Sequence, residues 1–220
     1  MSLRTTRLSV ATQDLHELAP ALRRAVALDP GSLVRIVVAA STVSALVRLP
    51  FGVLVSRVVE SERAQQAASD TTVSAAELLA WLDAERPDPP ISRDAEWRTG
   101  LPPRAGWQRV DTVPDEVVRG LVRSGAQALK QAAEREGVPN AQPRAEVADA
   151  LLDSVVLTVE EGGRSVQLTL RTLSALTRMG FLPRDSHIAV DVAGRWTRIA
   201  AAYGSVYAER PGSGLGPTLR

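Results

Sequence analysis

Hydrophobic positions along the chain change their period several times, and those changes divide it. Near the start Leu8 and Val10 alternate with polar residues as a short strand would. From Thr12 the period lengthens, and Leu15, Leu18, Leu22 and Val26 fall on one helical face, with Thr12 as the expected N-cap. Pro20 lies inside that stripe, where its missing N–H is expected to kink the helix or shift its start to residues 18–20. After the turn signal Asp29-Pro30-Gly31 come three β-branched-rich runs, LVRIVVAA, SALVRLPF and VLVSRVVE. Residues 1–60 thus read as a β-α-β-β-β unit.

The last third repeats that order. Val166, Leu168 and Leu170 alternate, Leu173, Leu176 and Met179 begin a helical stripe, and Gly180 stands at the C′ position with Phe181 and Pro183 behind it. Three strands follow in HIAVDV, WTRIAAA and SVYAER, the first two joined across Ala193-Gly194. Aligning Leu15 with Leu173 places Val10 on Leu168 and Leu18 on Leu176; Ser32 and Ser186 each precede the next strand, and the aromatic-Gly pairs Phe51-Gly52 and Tyr203-Gly204 each precede the last one. An extra arm, residues 154–160, turns at Glu161-Gly162-Gly163, a strong hairpin signal.

Between the two units the period is helical. SAAE is a capping box with Ser74 as N-cap and Glu77 at N3, opening a helix over residues 74–85. A second helix is predicted over 113–136, with Thr112 as N-cap, Pro114 in the first turn and a stripe of Val118, Leu121, Val122, Gly125, Leu129 and Ala132. A shorter one runs from Pro143 through Leu152, and a Pro-rich stretch, 87–106, connects the first two. The fold class expected is α+β: two units, 1–60 and 153–210, forming mainly antiparallel sheet, with a helical insertion at 61–152 and a flexible tail at 211–220.

Composition narrows the function classes. Of 220 residues 45% are hydrophobic and 23% charged, ordinary globular usage, and the absence of cysteine excludes disulfides, thiolate metal sites and cysteine nucleophiles. The longest apolar run is interrupted by Arg35, Arg48 and Arg57, so no membrane span is expected; Arg4, Arg7, Asp14 and His16 leave no signal-peptide pattern, and a cytoplasmic location follows as the expectation. Net charge is +1, without the basic excess of a nucleic-acid binder, although the two ends sum to +5 and the middle to −4, which favours packing of one on the other. Lys130 is the single lysine, a bias that fits a GC-rich bacterial genome.

Candidate chemistry is sparse. His16 and His187 are the two histidines; His187 adjoins Asp185 and Ser186, but sequence neighbours do not point at one another as a triad requires, and a capped strand-entry turn is the plainer reading. His16 reads as a solvated side chain, and two distant histidines give no metal-ligand spacing. Glu160-Glu161 and Asp83/Glu85 read as solvated charge, and GSGLGP at 212–217 has no following helix to bring to a phosphate. Arg35, Arg48, Arg57 and Arg198 lie in predicted strands and would form a basic stripe for phosphate if they shared a face; the plainer reading is solubilisation of an exposed face. The segment WRTGLPPRAGWQ offers Trp97, Arg98, Pro102, Pro103, Arg104 and Trp107 as an interaction surface, unless its tryptophans anchor the loop to the protein itself.

In order of elements, the tandem β-α-β-β-β units resemble those of the DNA sliding clamps. That likeness covers the two ends and rests on no motif residues, and an insert of about 90 helical residues is foreign to the clamp's ring-forming repeats, so the family is not assigned from it. The expected function is a non-enzymatic binding or protein-interaction module without cofactor or metal. A protein partner is expected, with a homo-oligomer allowed. The alternatives are nucleic-acid association through the strand arginines, and an enzyme of unfamiliar type with a site between sheet and insertion.

Overall fold

The computed structural model describes residues 12–39, 41–61, 69–84, 88–135 and 141–210; the strand expected at Leu8 and Val10 and the tail at 211–220 lie outside them. The chain forms two compact units, Met1–Leu101 and Pro102–Arg220.

In the first unit the order is α1 (Thr12–Leu28), β1 (Leu33–Ala39), β2 (Thr42–Arg48), β3 (Leu54–Glu60), β4 (Ser69–Ser74), α2 (Ala75–Asp83) and a 3-10 turn at Asp94–Glu96. The strands lie side by side, antiparallel, in the order β4-β1-β2-β3. One face carries Val34, Ile36, Val38, Val43, Val47, Val55, Val59 and Val73, all buried with Leu15, Leu18 and Leu22 of α1 and Leu78 and Leu82 of α2. α1 is one helix through Pro20, so the expected displacement of its start does not occur. Pro20 stands on the exposed side with His16, four residues earlier, whose carbonyl is the one that loses its helical donor. The predicted capping box forms, Ser74 Oγ accepting the Glu77 N–H at 3.3 Å.

In the second unit the order is β5 (Gln108–Pro114), α3 (Asp115–Arg135), α4 (Ala141–Leu152), β6 (Val155–Glu161), β7 (Arg164–Thr169), α5 (Leu170–Arg178), β8 (His187–Ala193), β9 (Trp196–Ala201) and β10 (Gly204–Glu209). Four strands run antiparallel in the order β5-β8-β9-β10, and β6 pairs with β7 in a separate ribbon. The predicted hairpin turn takes φ 57° at Gly162 and 78° at Gly163, the left-handed pair that a two-residue turn needs. At the end of α5, Gly180 takes φ 64° and two bonds close the helix, Gly180 N–H to Thr177 O (3.1 Å) and Phe181 N–H to Leu176 O (3.0 Å). Phe181 is buried there, as its position after Gly180 predicted.

Residues 61–152, expected to be helical, also contain β4 and β5. Thr112 is therefore a strand residue rather than an N-cap, and α3 starts at Asp115, after Pro114. Pro114 closes a strand at the margin of its sheet, where a missing N–H is tolerated. The same edge strand and helix are added to each unit. Ala75 N–H donates to the Ser32 carbonyl (3.0 Å), and Asp115 N–H to the Ser186 carbonyl (2.9 Å), so the two serines aligned in sequence receive the first residue of α2 and α3. The aromatic-Gly pairs are not equivalent: Gly52 takes φ 81° in its turn, whereas Gly204 is the first residue of β10.

Candidate functional site

Period-two alternation decides which strand arginines act together. Arg35 pairs in register with Leu46 and Leu46 with Ser56, while Arg57 pairs with Ala45. Arg35 and Arg48 consequently share the face opposite the valine core, and Arg57 stands on the helix-covered face with its own partner. Arg198 belongs to the second unit. The four arginines therefore do not form the single basic stripe that a shared face would have given, because Arg57 stands at the opposite parity of the strand alternation.

Two of these arginines are held by carboxylates. Arg35 binds Asp70 of β4 through two parallel hydrogen bonds, Nε to Oδ1 at 2.7 Å and one terminal nitrogen to Oδ2 at 2.8 Å. Arg198 binds Asp191 Oδ2 through Nε (3.0 Å) and a terminal nitrogen (2.8 Å), while Arg109 Nε reaches Asp191 Oδ1 at 2.5 Å. Asp191 is 2% exposed, so it draws both cations onto the sheet. Each cluster also meets one tryptophan of the 97–108 segment. The Arg35 guanidinium carbon lies 5.7 Å from the Trp97 ring centroid. That of Arg198 lies 4.5 Å from Trp107, whose ring is 5.8 Å from Tyr207 at 50°.

Both tryptophans are half-buried, and each indole N–H closes its own turn, Trp97 on Thr99 O (2.7 Å) and Trp107 on Pro103 O (3.0 Å). The boundary between units falls after Leu101, so Trp97 and Arg98 belong to the first unit, and Pro102, Pro103, Arg104 and Trp107 to the second. Pro102 is half-buried, and Pro103 and Arg104 are exposed.

The loop before Trp97 is fastened to β4. Arg93 N–H donates to Thr72 O (2.7 Å), and Thr72 N–H donates to Asp94 Oδ1 (2.5 Å). Ser92 donates to Asp94 Oδ2 (2.7 Å) and Arg93 pairs with Glu77 (2.7 Å). Burial pushes the Asp94 carboxyl up, but the Ser92 hydroxyl, the Thr72 amide and side chain, and the Arg35 charge together outweigh it and leave it below its ordinary value.

This fastening places Trp97 and Arg98 beside Arg48 around an open groove of about 300 Å³. Its other walls are the 29–33 turn, with Asp29 and Ser32, and the β2–β3 turn at Leu49-Pro50. Arg48 and Arg98 are exposed, and neither has a hydrogen bond or ion pair among the described residues. Ser32 is 3% exposed, and its hydroxyl has no hydrogen-bond partner among the described residues. The structure thus joins Arg48, from the strand set, with Trp97 and Arg98, from the loop set. Sequence reasoning missed Ser32, Asp70, Arg109 and Asp191 as members of these clusters; alternation in β1, β8 and β9 carries part of that signal, but strand register supplies the rest.

Ser186 donates its hydroxyl to Pro183 O (2.8 Å) and its N–H to Asp115 Oδ1 (3.2 Å), while His187 is exposed and Asp185 takes φ 56°. His16 is exposed on α1. Among the described residues no three His, Cys, Asp or Glu side chains group as metal ligands, and no helix is long and apolar enough to cross a membrane.

Antiparallel strands of repeated order, each set backed by helices, define an α+β fold of the sliding-clamp type. The chain resembles the DNA polymerase III subunit beta of Pseudomonas aeruginosa (TM-score 0.55, 12% identity, 92% of this chain and 64% of that one). It likewise resembles the DNA polymerase sliding clamp of Caulobacter crescentus (TM-score 0.55, 13% identity, 92% and 65%) and the DNA polymerase beta subunit of Streptococcus pyogenes (TM-score 0.54, 10% identity, 91% and 64%). The chain therefore spans just under two thirds of the length of these structures, and at such identities the likeness is one of fold. Residues 102–213, more than half of the chain, match the family "Domain of unknown function (DUF8185)", and the chain belongs to it. Residues 3–99 match "Domain of unknown function (DUF8010)". No curated protein matches in sequence.

Proposed function

We propose that this chain is a non-enzymatic binding module that engages another protein through an open groove of its first unit. The observation carrying this reading is the groove in which Arg48 and Arg98, both without ion-pair partners among the described residues, stand beside the Trp97 ring. Unpaired arginine next to a half-exposed indole is the composition of an interface centre. The fold neighbours are named as polymerase subunits and sliding clamps, which supports a role within an assembly.

Nucleic-acid association is the second reading, favoured by the same two cations; it draws nothing from Arg35 and Arg198, whose charge is directed to Asp70 and Asp191. The test is quantitative capture from the native cell with the tagged full chain and with its Arg48→Gln, Arg98→Gln variant. A protein retained by the parent and depleted several-fold with the variant supports the proposal. Equal retention by both, or nuclease-sensitive retention alone, overturns it.

A further inference from the structure

We propose that the groove of the first unit receives an acidic segment of the partner protein, one carboxylate of which is met by Arg48 and Arg98 and by the hydroxyl of Ser32. The inference rests on the binding-module reading and names the chemistry of the ligand. Arg48, Arg98 and Ser32 line the groove, and the two guanidinium groups and the buried Ser32 hydroxyl are each without a hydrogen-bond partner among the described residues. Ser32 is the sharpest of them: a buried hydroxyl lacking a partner is costly, and an oxygen arriving in the groove supplies what it lacks. Arginine forks match carboxylates with two parallel bonds, as Arg35 and Asp70 already do in this unit.

The walls also distinguish a peptide from a polyphosphate. Asp29 and Glu96 line the same groove and would repel a strand that carries a phosphate at each step, whereas a peptide brings N–H donors that carboxylates accept. Leu49, Pro50 and the Trp97 ring add apolar surface for the residues flanking the carboxylate. A volume of about 300 Å³ is at the small end for ligand sites, room for one side chain and its neighbours.

The test pans a display library of random twelve-residue peptides on the immobilised full chain, then titrates a fluorescein-labelled selected peptide by anisotropy. We expect selected peptides to share one Asp or Glu position, and a loss of at least about tenfold when that carboxylate is replaced by its amide, the effect of one charge-assisted hydrogen bond. A similar loss is expected for Arg48→Gln with Arg98→Gln, and a few-fold loss for Ser32→Ala. Arg184→Gln, at an exposed cation of the other unit, leaves affinity unchanged, and thermal unfolding of every variant controls for folding. The inference is overturned if no peptide is selected, if binding ignores the carboxylate or the two arginines, or if a 30-nucleotide single strand displaces the peptide with a steep salt dependence. Peptide binding that depends on the second unit instead would overturn this inference and the first-unit reading alike, whereas a protein captured through Arg48 and Arg98 that no acidic peptide imitates would overturn this inference alone.

Discussion

Asp191 illustrates how one residue can change what its neighbours are for. Arg198 looks like a phosphate contact when the strand is read alone, yet in the fold its guanidinium is bound by a carboxylate with 3% side-chain exposure, shared with Arg109. The alternation of HIAVDV already puts Asp191 between inward positions; what it cannot supply is the pairing of Asp191 with Arg198, which depends on the register across the β8–β9 turn. Asp191→Ala is expected to lower stability by about 2 kcal/mol, below the cost of breaking a fully buried pair because Arg109 and Arg198 still reach water. The shift of the urea midpoint at constant slope measures it. Asp115 carries a pH signature. Its hydrogen bond from Arg119, assisted by the Ser186 N–H against an opposing effect of desolvation, holds its carboxyl below the ordinary 3.8. A folded-state value below the unfolded one gives stability that is complete above about pH 4 and is lost as pH falls through the lower, folded value. Melting curves from pH 7 to 2 should therefore show a shallower acid decline for Asp115→Asn than for the parent, with the variant the less stable of the two at neutral pH.

Among the elements, those with local signals were legible and those defined by pairing were not. The Ser74 box, the Gly180 cap and the Gly162-Gly163 turn each depend on a few consecutive residues, and the structure contains all three. β5 was misread for a specific reason. Its register shifts between Arg109 and Asp111, and the bulge separates the buried Val110 and Val113 by three positions, a helical spacing inside a strand. β4 offers one buried aliphatic side chain, Val73, and is otherwise Ser, Asp and Thr, so nothing in its pattern announces a strand. Within α3 two glycines separate propensity from packing. A Cβ at Gly125 would stand 2.4 Å from Leu170 of α5, whereas one at Gly120 meets nothing within 4 Å. Gly125→Ala is expected to destabilise by about 1–3 kcal/mol through overpacking, and Gly120→Ala to stabilise by up to about 1 kcal/mol through helix propensity. Opposite shifts of the two thermal midpoints would bear this out; equal shifts would mean that the α3–α5 contact is looser than described.

For the molecule as a whole, the family matches at 3–99 and 102–213 coincide with the two compact units, and the join falls inside WRTGLPPRAGWQ. That segment read as one surface because its residues are consecutive, but its tryptophans stack on arginines of different units, Trp97 on Arg35 and Trp107 on Arg198. Arg48 and Arg98, fifty positions apart in sequence, meet at one groove that no spacing rule could have assembled. Strands with neighbours on both sides should be the most resistant to opening. We expect amide exchange to be slowest in β1, β2, β8 and β9 and faster in the β6–β7 ribbon, a contrast that exchange mass spectrometry resolves. The fastening of Arg93 and Asp94 to Thr72 has a consequence beyond positioning Trp97. A strand at the margin of a sheet invites another chain to continue it, the first step towards fibres. Here the donor and acceptor of Thr72, near the middle of β4, are already occupied by the chain itself, so a second molecule finds no continuous ladder there. One half of the guard is a carboxylate held below its ordinary 3.8, which remains charged throughout the neutral range and loses its charge only in strong acid; the other half, the Arg93 N–H on the Thr72 carbonyl, does not titrate at all.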